Sequence, residues 1–216
     1  MIHRPAEELD KQGAGPADLV PSVGSQRYRR PGLVAISLVT SGGGLLYAAY
    51  RGYYGFGGTA GMFGTPASPA QWRMVNLAGA AMLLAVALLP VAALPLWRRR
   101  RPRRVLLASC WVLAVGFVMH GLVSDTQRVL SLVGVVHLRY PLFATIDKRA
   151  ADIQDLVFNE TWFLAEGLLW GILALMVLGP SPARRWWAGT AIAATAALTA
   201  TGLLSALHVI GRIVTF

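Results

Sequence analysis

Residues 74–123 read MVNLAGAAMLLAVALLPVAALPLW (74–97), RRRRPRR (98–104) and VLLASCWVLAVGFVMHGLV (105–123), two apolar runs parted by a seven-residue connection that holds six arginines. At 1.5 Å per residue the first run extends about 36 Å as a helix and the second about 28 Å, so each matches a hydrocarbon layer roughly 30 Å thick. Trp72 and Trp97 bracket the first run where interfacial aromatics belong, and Pro90 inside it removes a backbone donor and predicts a kink. A tight arginine hairpin between two such runs is a topology determinant, because cytoplasmic connections are the ones enriched in Lys and Arg.

The rest of the chain agrees with that solvent. Of 216 residues 55% are hydrophobic and only 14% charged, too apolar for an ordinary soluble domain. The net charge of +10 falls in short clusters between apolar runs rather than along one face, which excludes a nucleic-acid-binding surface and fits headgroup contact. A lone cysteine, Cys110, lies within an apolar run, so no intrachain disulfide, dithiol reductase chemistry or cysteine-rich metal site can be built.

Three more apolar runs, at about 33–50, 156–178 and 186–210, bring the expected spans to five. The fold class is therefore an all-α integral membrane bundle, with residues 1–31 as a disordered cytoplasmic tail and 32–216 as the transmembrane domain. The run at 33–50 is close to the minimum for crossing. Its rival reading is a cleaved signal peptide, suggested by Arg27, Arg29 and Arg30, a short apolar stretch and the small residues Ala48 and Ala49. The long tail and Gly42 to Gly44 favour a retained helix. With five alternating helices, Arg27, Arg29, Arg30, the six-arginine hairpin, Arg184 and Arg185 all fall on one side, taken as the cytoplasm of a bacterial plasma membrane, and the carboxy terminus lies outside. Two connections face the outer side. Arg51 to Arg73 reads as a loop whose glycines and prolines break any regular element, and 124–155 carries mixed charge. Within the latter, Ile146, Ala150, Ile153 and Val157 predict an amphipathic helix along the outer interface, while Val129 to Phe143 reads as a re-entrant or surface segment.

Ionisable side chains inside a bilayer are costly, which makes each a candidate for function. Counting turns places Arg51, Asn76, His120, Glu160, Glu166, His208 and Arg212 in the outer half, so a polar pocket open to the outside is expected. Gly116, His120 and Ser124 follow at four-residue steps. Asn159, Phe163 and Trp170 share a face with Glu166, and Ser205 joins His208 and Arg212 on a stripe of the fifth span. As acid–base chemistry, Glu166 with His120 or His208 could move a proton on a lipophilic substrate, as an isomerase or cyclase does. As a binding site, Arg51, Asn76, Asn159, Glu160, Trp162, Trp170, Ser205 and Arg212 would meet a membrane lipid, a hydrophobic small molecule, or a partner subunit or second copy. Glutamate serving only to lock helix packing is the plain alternative for Glu166. No His-Glu-x-x-His spacing, phosphate-binding glycine loop or nucleophile elbow occurs, and no metal or cofactor is expected. Visible inverted repeats, which many transporters show, are missing too.

The stretch Arg51 to Arg73 and the segment Phe158-Asn159-Glu160-Thr161-Trp162-Phe163 resemble an uncharacterised family of small actinobacterial multi-spanning membrane proteins. The resemblance covers about half the chain and implies a host and an architecture, with no activity or catalytic residues to carry over. Emopamil-binding-type isomerases also place carboxylates and histidine within about five helices, but their motifs have no residue-by-residue match here. A non-enzymatic membrane component is the leading expectation, an acid–base enzyme the second and a transporter the third.

Overall fold

The structure, a computed structural model of the chain, describes residues 30–97 and 99–207. The expected tail, Arg27, Arg29, Arg98, His208 and Arg212 lie outside the described residues. Within them are five helices long and apolar enough to cross a membrane. These are α1 (Arg30–Gly55), α2 (Pro69–Ala92), α3 (Arg100–Leu132), α4 (Lys148–Leu178) and α5 (Pro182–Ala206). Two short strands, β1 (Gly64–Pro66) and β2 (Phe143–Ile146), pair antiparallel and tie the α1–α2 loop to the α3–α4 loop.

Helix starts follow local chemistry. Ser68 accepts from the Gln71 N–H and Ser181 from the Arg184 N–H, each with proline at the first helical position, while Asp147 accepts from the Ala150 N–H. Each cap satisfies a backbone donor that the helix itself leaves open. At the other end of α4, Gly179 takes φ +63°, a backbone conformation that favours glycine.

Several boundaries differ from the sequence reading. α1 continues to Gly55, one and a half turns past Tyr50, because Tyr54 packs against Trp72 of α2 (ring centroids 5.9 Å apart) and is buried there. α2 begins at Pro69 and ends at Ala92, leaving residues 93–97 to turn. α3 runs nine residues past Val123. Val129 to Phe143, expected as a re-entrant or surface segment, consists of the last turn of that helix, a loop, and the first residue of β2. The amphipathic helix is present from Lys148 but passes without a break into the apolar stretch, through a π-helical turn at Asp155–Glu160. It buries Ala151 and Asp152 while Ile153 and Val157 stay exposed, so the apolar stripe faces outward and the polar edge faces protein.

Side-chain contacts give the arrangement. α1 and α4 run antiparallel, with Gly32 beside Met176, Gly43 beside Glu166 and Tyr47 bonded to Asn159. α1 also lies along α2, α4 along α3, and α3 along α5, which makes a row ordered α2, α1, α4, α3, α5. The first residues of α1, the turn from Trp97 into α3, and the α4–α5 turn therefore share one end, here the arginine end; Arg103 there donates to the Val177 carbonyl at 2.9 Å. The β1–β2 ribbon lies at the other, the ribbon end. A core of Trp97, Cys110, Trp170 and Leu173 fills the arginine half, and Tyr47 with Leu83 anchors the ribbon half. α5 buries almost none of its apolar stretch inside the chain, leaving Trp186 and Ile192 exposed.

The ribbon depends on Gly64, where a Cβ would lie 2.2 Å from the Thr145 carbonyl oxygen. Gly64→Val is expected to part the strands and cost about 1–3 kcal/mol, as overpacking does. Thermal unfolding followed by fluorescence-detected gel filtration would show it, and an unchanged midpoint would mean that the strand pair does not hold the two loops together.

Candidate functional site

At the ribbon end a charged cluster joins α3, α4 and the loop before β2. Arg128 of α3 donates to Asp152 at 3.1 Å, to the Tyr140 hydroxyl at 2.7 Å, and pairs with Asp155 at 2.7 Å. Ser131 donates to the second oxygen of Asp152 at 2.7 Å, and the Tyr140 hydroxyl donates to the first. Burial is the main cause that pushes the Tyr140 hydroxyl above its ordinary range, assisted by its bond to Asp152, so it stays a neutral donor. Asp152 is 2% exposed, a depth at which an ionised carboxylate needs all of these partners.

The π-helical turn aims the next residues. One extra residue per turn rotates the helix beyond it, and Asn159 reaches back to Asp155 while accepting from the Tyr47 hydroxyl at 3.1 Å. Gln154 donates to the Tyr50 hydroxyl at 3.2 Å. Glu160 is buried, with His120 Nε2 3.6 Å from its carboxylate and the His120 ring edge-on to Phe163. π-Helical turns of this kind concentrate at functional sites in proteins.

Between these groups and α1–α2 lies a cavity of about 190 Å³. Its walls are largely aromatic, from Tyr50, Tyr54, Trp72, Tyr140 and Phe143, and its polar side chains are Arg51, Asn76, Arg128, Gln154, Asp155 and Asn159. The loop residues Gly61 to Phe63 complete it. Arg128 is paired with two carboxylates, whereas Arg51 has no carboxylate within 4.0 Å among the described residues. The Arg51 guanidinium lies against Gly79 of α2, whose missing side chain leaves room for it. Asn76 is wholly buried and donates to the Trp72 carbonyl one turn back, which fixes its amide orientation.

Of the expected binding residues, the structure brings Arg51, Asn76 and Asn159 onto one cavity, and pairs Glu160 with His120 beside it. Others go elsewhere. Trp162 stacks on Tyr47 at 4.1 Å and donates to the Gly43 carbonyl at 3.1 Å. Trp170 packs in the core near Cys110 and Leu173, and Ser205 is buried on α5. Glu166 is buried against Gly43 and Gly44 of α1 and does not line the cavity. Sequence reasoning missed Arg128, Tyr140, Asp152 and Asp155 as members of one site. A signal was present, because the four-residue steps Gly116, His120, Ser124 continue to Arg128. Among the described residues no group of three His, Cys, Asp or Glu side chains is placed to hold a metal.

The fold and this site define a bundle of five membrane-length helices with a small polar cavity at one end. Residues 44–169, more than half of the chain, match the family described as "Protein of unknown function (DUF3995)", and the chain belongs to that family. The matched stretch begins in α1 and ends in α4, so it contains the π-helical turn and the residues named above as lining the cavity. No curated protein and no solved structure matches the chain.

Proposed function

We propose that the protein is a multi-pass component of the bacterial plasma membrane, with its arginine end in the cytoplasm and its ribbon end outside. In this reading its outward cavity binds a small molecule without transforming it. What carries it is the convergence of Arg51, Asn76 and Asn159, from three helices, on one cavity at the end of the bundle opposite the arginine hairpin. Positive residues mark the cytoplasmic side, and exposed apolar side chains such as Leu46 and Ile192 suit lipid. The almost unburied α5 offers a face for lipid, a partner subunit or a second copy.

Topology is tested with single cysteines in a Cys110→Ala background. A membrane-impermeant maleimide is expected to label Thr59→Cys in intact cells, and Ala183→Cys only after lysis. The reverse pattern would sink the reading, because the cavity would then open to the cytoplasm. An acid–base enzyme on a lipophilic substrate is the second reading, favoured by the 3.6 Å contact of His120 with Glu160. Glu160→Gln that removes product while leaving thermal stability intact would select it, with Glu166→Gln as the comparison.

A further inference from the structure

We propose that the cavity takes a small hydroxylated organic acid, its anionic group on Arg51 and its hydroxyl donating to Asn76. The inference rests on the reading of the cavity as a ligand site and deepens it. Three observations set the chemistry. The cavity holds two guanidinium groups: Arg128 is neutralised by Asp152 and Asp155, but Arg51 faces no carboxylate within 4.0 Å among the described residues. An unneutralised guanidinium in a partly desolvated site is completed by an anion, bound through charge-assisted hydrogen bonds.

Second, the wall carries an acceptor without a donor. Asn76 Nδ2 is committed to the Trp72 carbonyl, so Oδ1 is the free end of the amide, and it is buried with no hydrogen-bond partner in the structure. Such a group calls for an N–H or O–H on the ligand. Trp72 Nε1, buried and likewise unpartnered, is a donor suited to the anion or to the hydroxyl's lone pair.

Third, size and walls limit the body of the ligand. About 190 Å³ equals the liquid volume of roughly six waters, and Tyr50, Tyr54 and Trp72 supply flat apolar surfaces. A compact planar or short aliphatic acid fits these limits. An anion beside a hydroxyl is also the chemistry of a phosphatidylglycerol headgroup, and the experiment separates the two sources.

The full chain is placed in phosphatidylcholine nanodiscs and its thermal midpoint followed against 4-hydroxybenzoate. A saturable rise is expected. Benzoate, without the donor, and 4-hydroxybenzamide, without the charge, are each expected to bind at least about tenfold more weakly. Arg51→Gln is expected to weaken 4-hydroxybenzoate by a similar factor or more, Arg51→Lys to restore part of it, and Trp72→Phe to cost several-fold. If Arg51→Gln does not fold, the three-ligand comparison on the unaltered protein still decides. Competition by phosphatidylglycerol nanodiscs, dependent on Arg51, would keep the chemistry and assign it to a headgroup. Equal binding of the three probes, or no saturable response to any of them or to phosphatidylglycerol, would overturn the proposal. Thr59→Cys labelling from outside would leave the topology reading standing in that case, so the two failures are distinguishable.

Discussion

Arg128→Met is expected to lower the stability of the protein by about 3–5 kcal/mol, the usual cost of stripping one partner from a buried ion pair. The reason lies in what remains. Asp152 is 2% exposed and Asp155 is three residues away on the same helix, so the variant leaves two carboxylates facing each other with no cation between them. Tyr140 and Ser131 still donate to Asp152, but neither donor offsets a net negative charge. Asp155→Asn is expected to cost far less, about 1 kcal/mol or below, because Arg128 keeps Asp152 and the lost partner is closer to solvent. A compensating pair provides the sharper test. Arg128→Met combined with Asp152→Leu removes both buried charges, and apolar replacement of such pairs is often neutral or better. The double variant is therefore expected to be more stable than Arg128→Met alone, measured by thermal or denaturant unfolding in detergent. An Arg128→Met protein within about 0.5 kcal/mol of the parent would show that the cluster does not hold the ribbon end together.

The same cluster shows how far the sequence could be read. Five apolar runs and the arginine hairpin are legible because membrane-length helices need only length and composition, and these survive without knowing any tertiary contact. The grouping of Arg51, Asn76 and Asn159 was reachable by counting turns. The pairing of Arg128 with Asp152 and Asp155 was not. Ser124, Asp125 and Arg128 read as the start of a connection, but α3 keeps its helical path through them, burying Ser124 and turning the partly exposed Arg128 onto Asp152 and Asp155 of α4. Glu166 keeps the helix face that the sequence gives it. The chain passes through a π-helical turn at Asp155–Glu160, yet Asn159 still meets Tyr47 and Glu166 still meets Gly43, both on α1; what counting turns did not give is that the cavity ends at Asn159 and leaves Glu166 out. The β1–β2 ribbon is a pairing of three and four residues across some eighty positions. Nothing local in Gly64-Thr65-Pro66 announces it.

Where helices touch through glycine, the predictions split by position. Gly167 on α4 lies over the backbone of α3, with a Cβ there falling 2.9 Å from the Val118 N and 2.7 Å from its Cγ2. Gly44 on α1 is as tight, 2.7 Å from the Ala87 Cβ and 3.2 Å from its Cα. Backbone cannot swing aside as a side-chain tip can. Close approach through small residues is also how membrane helices gain packing without a hydrophobic drive between them. Gly167→Val and Gly44→Val are each expected to destabilise by about 1–3 kcal/mol or more. Gly171 and Gly116 lie one turn away or on the facing helix, yet meet nothing within 4 Å, so alanine there should be neutral or should gain up to about 1 kcal/mol from helix propensity. The contrast between Gly167 and Gly171, four residues apart on one helix, separates packing from propensity. Should Gly171→Ala lose as much stability as Gly167→Val, the α3–α4 interface is not the one described here. The register that carries Glu160 to His120 would then be wrong with it.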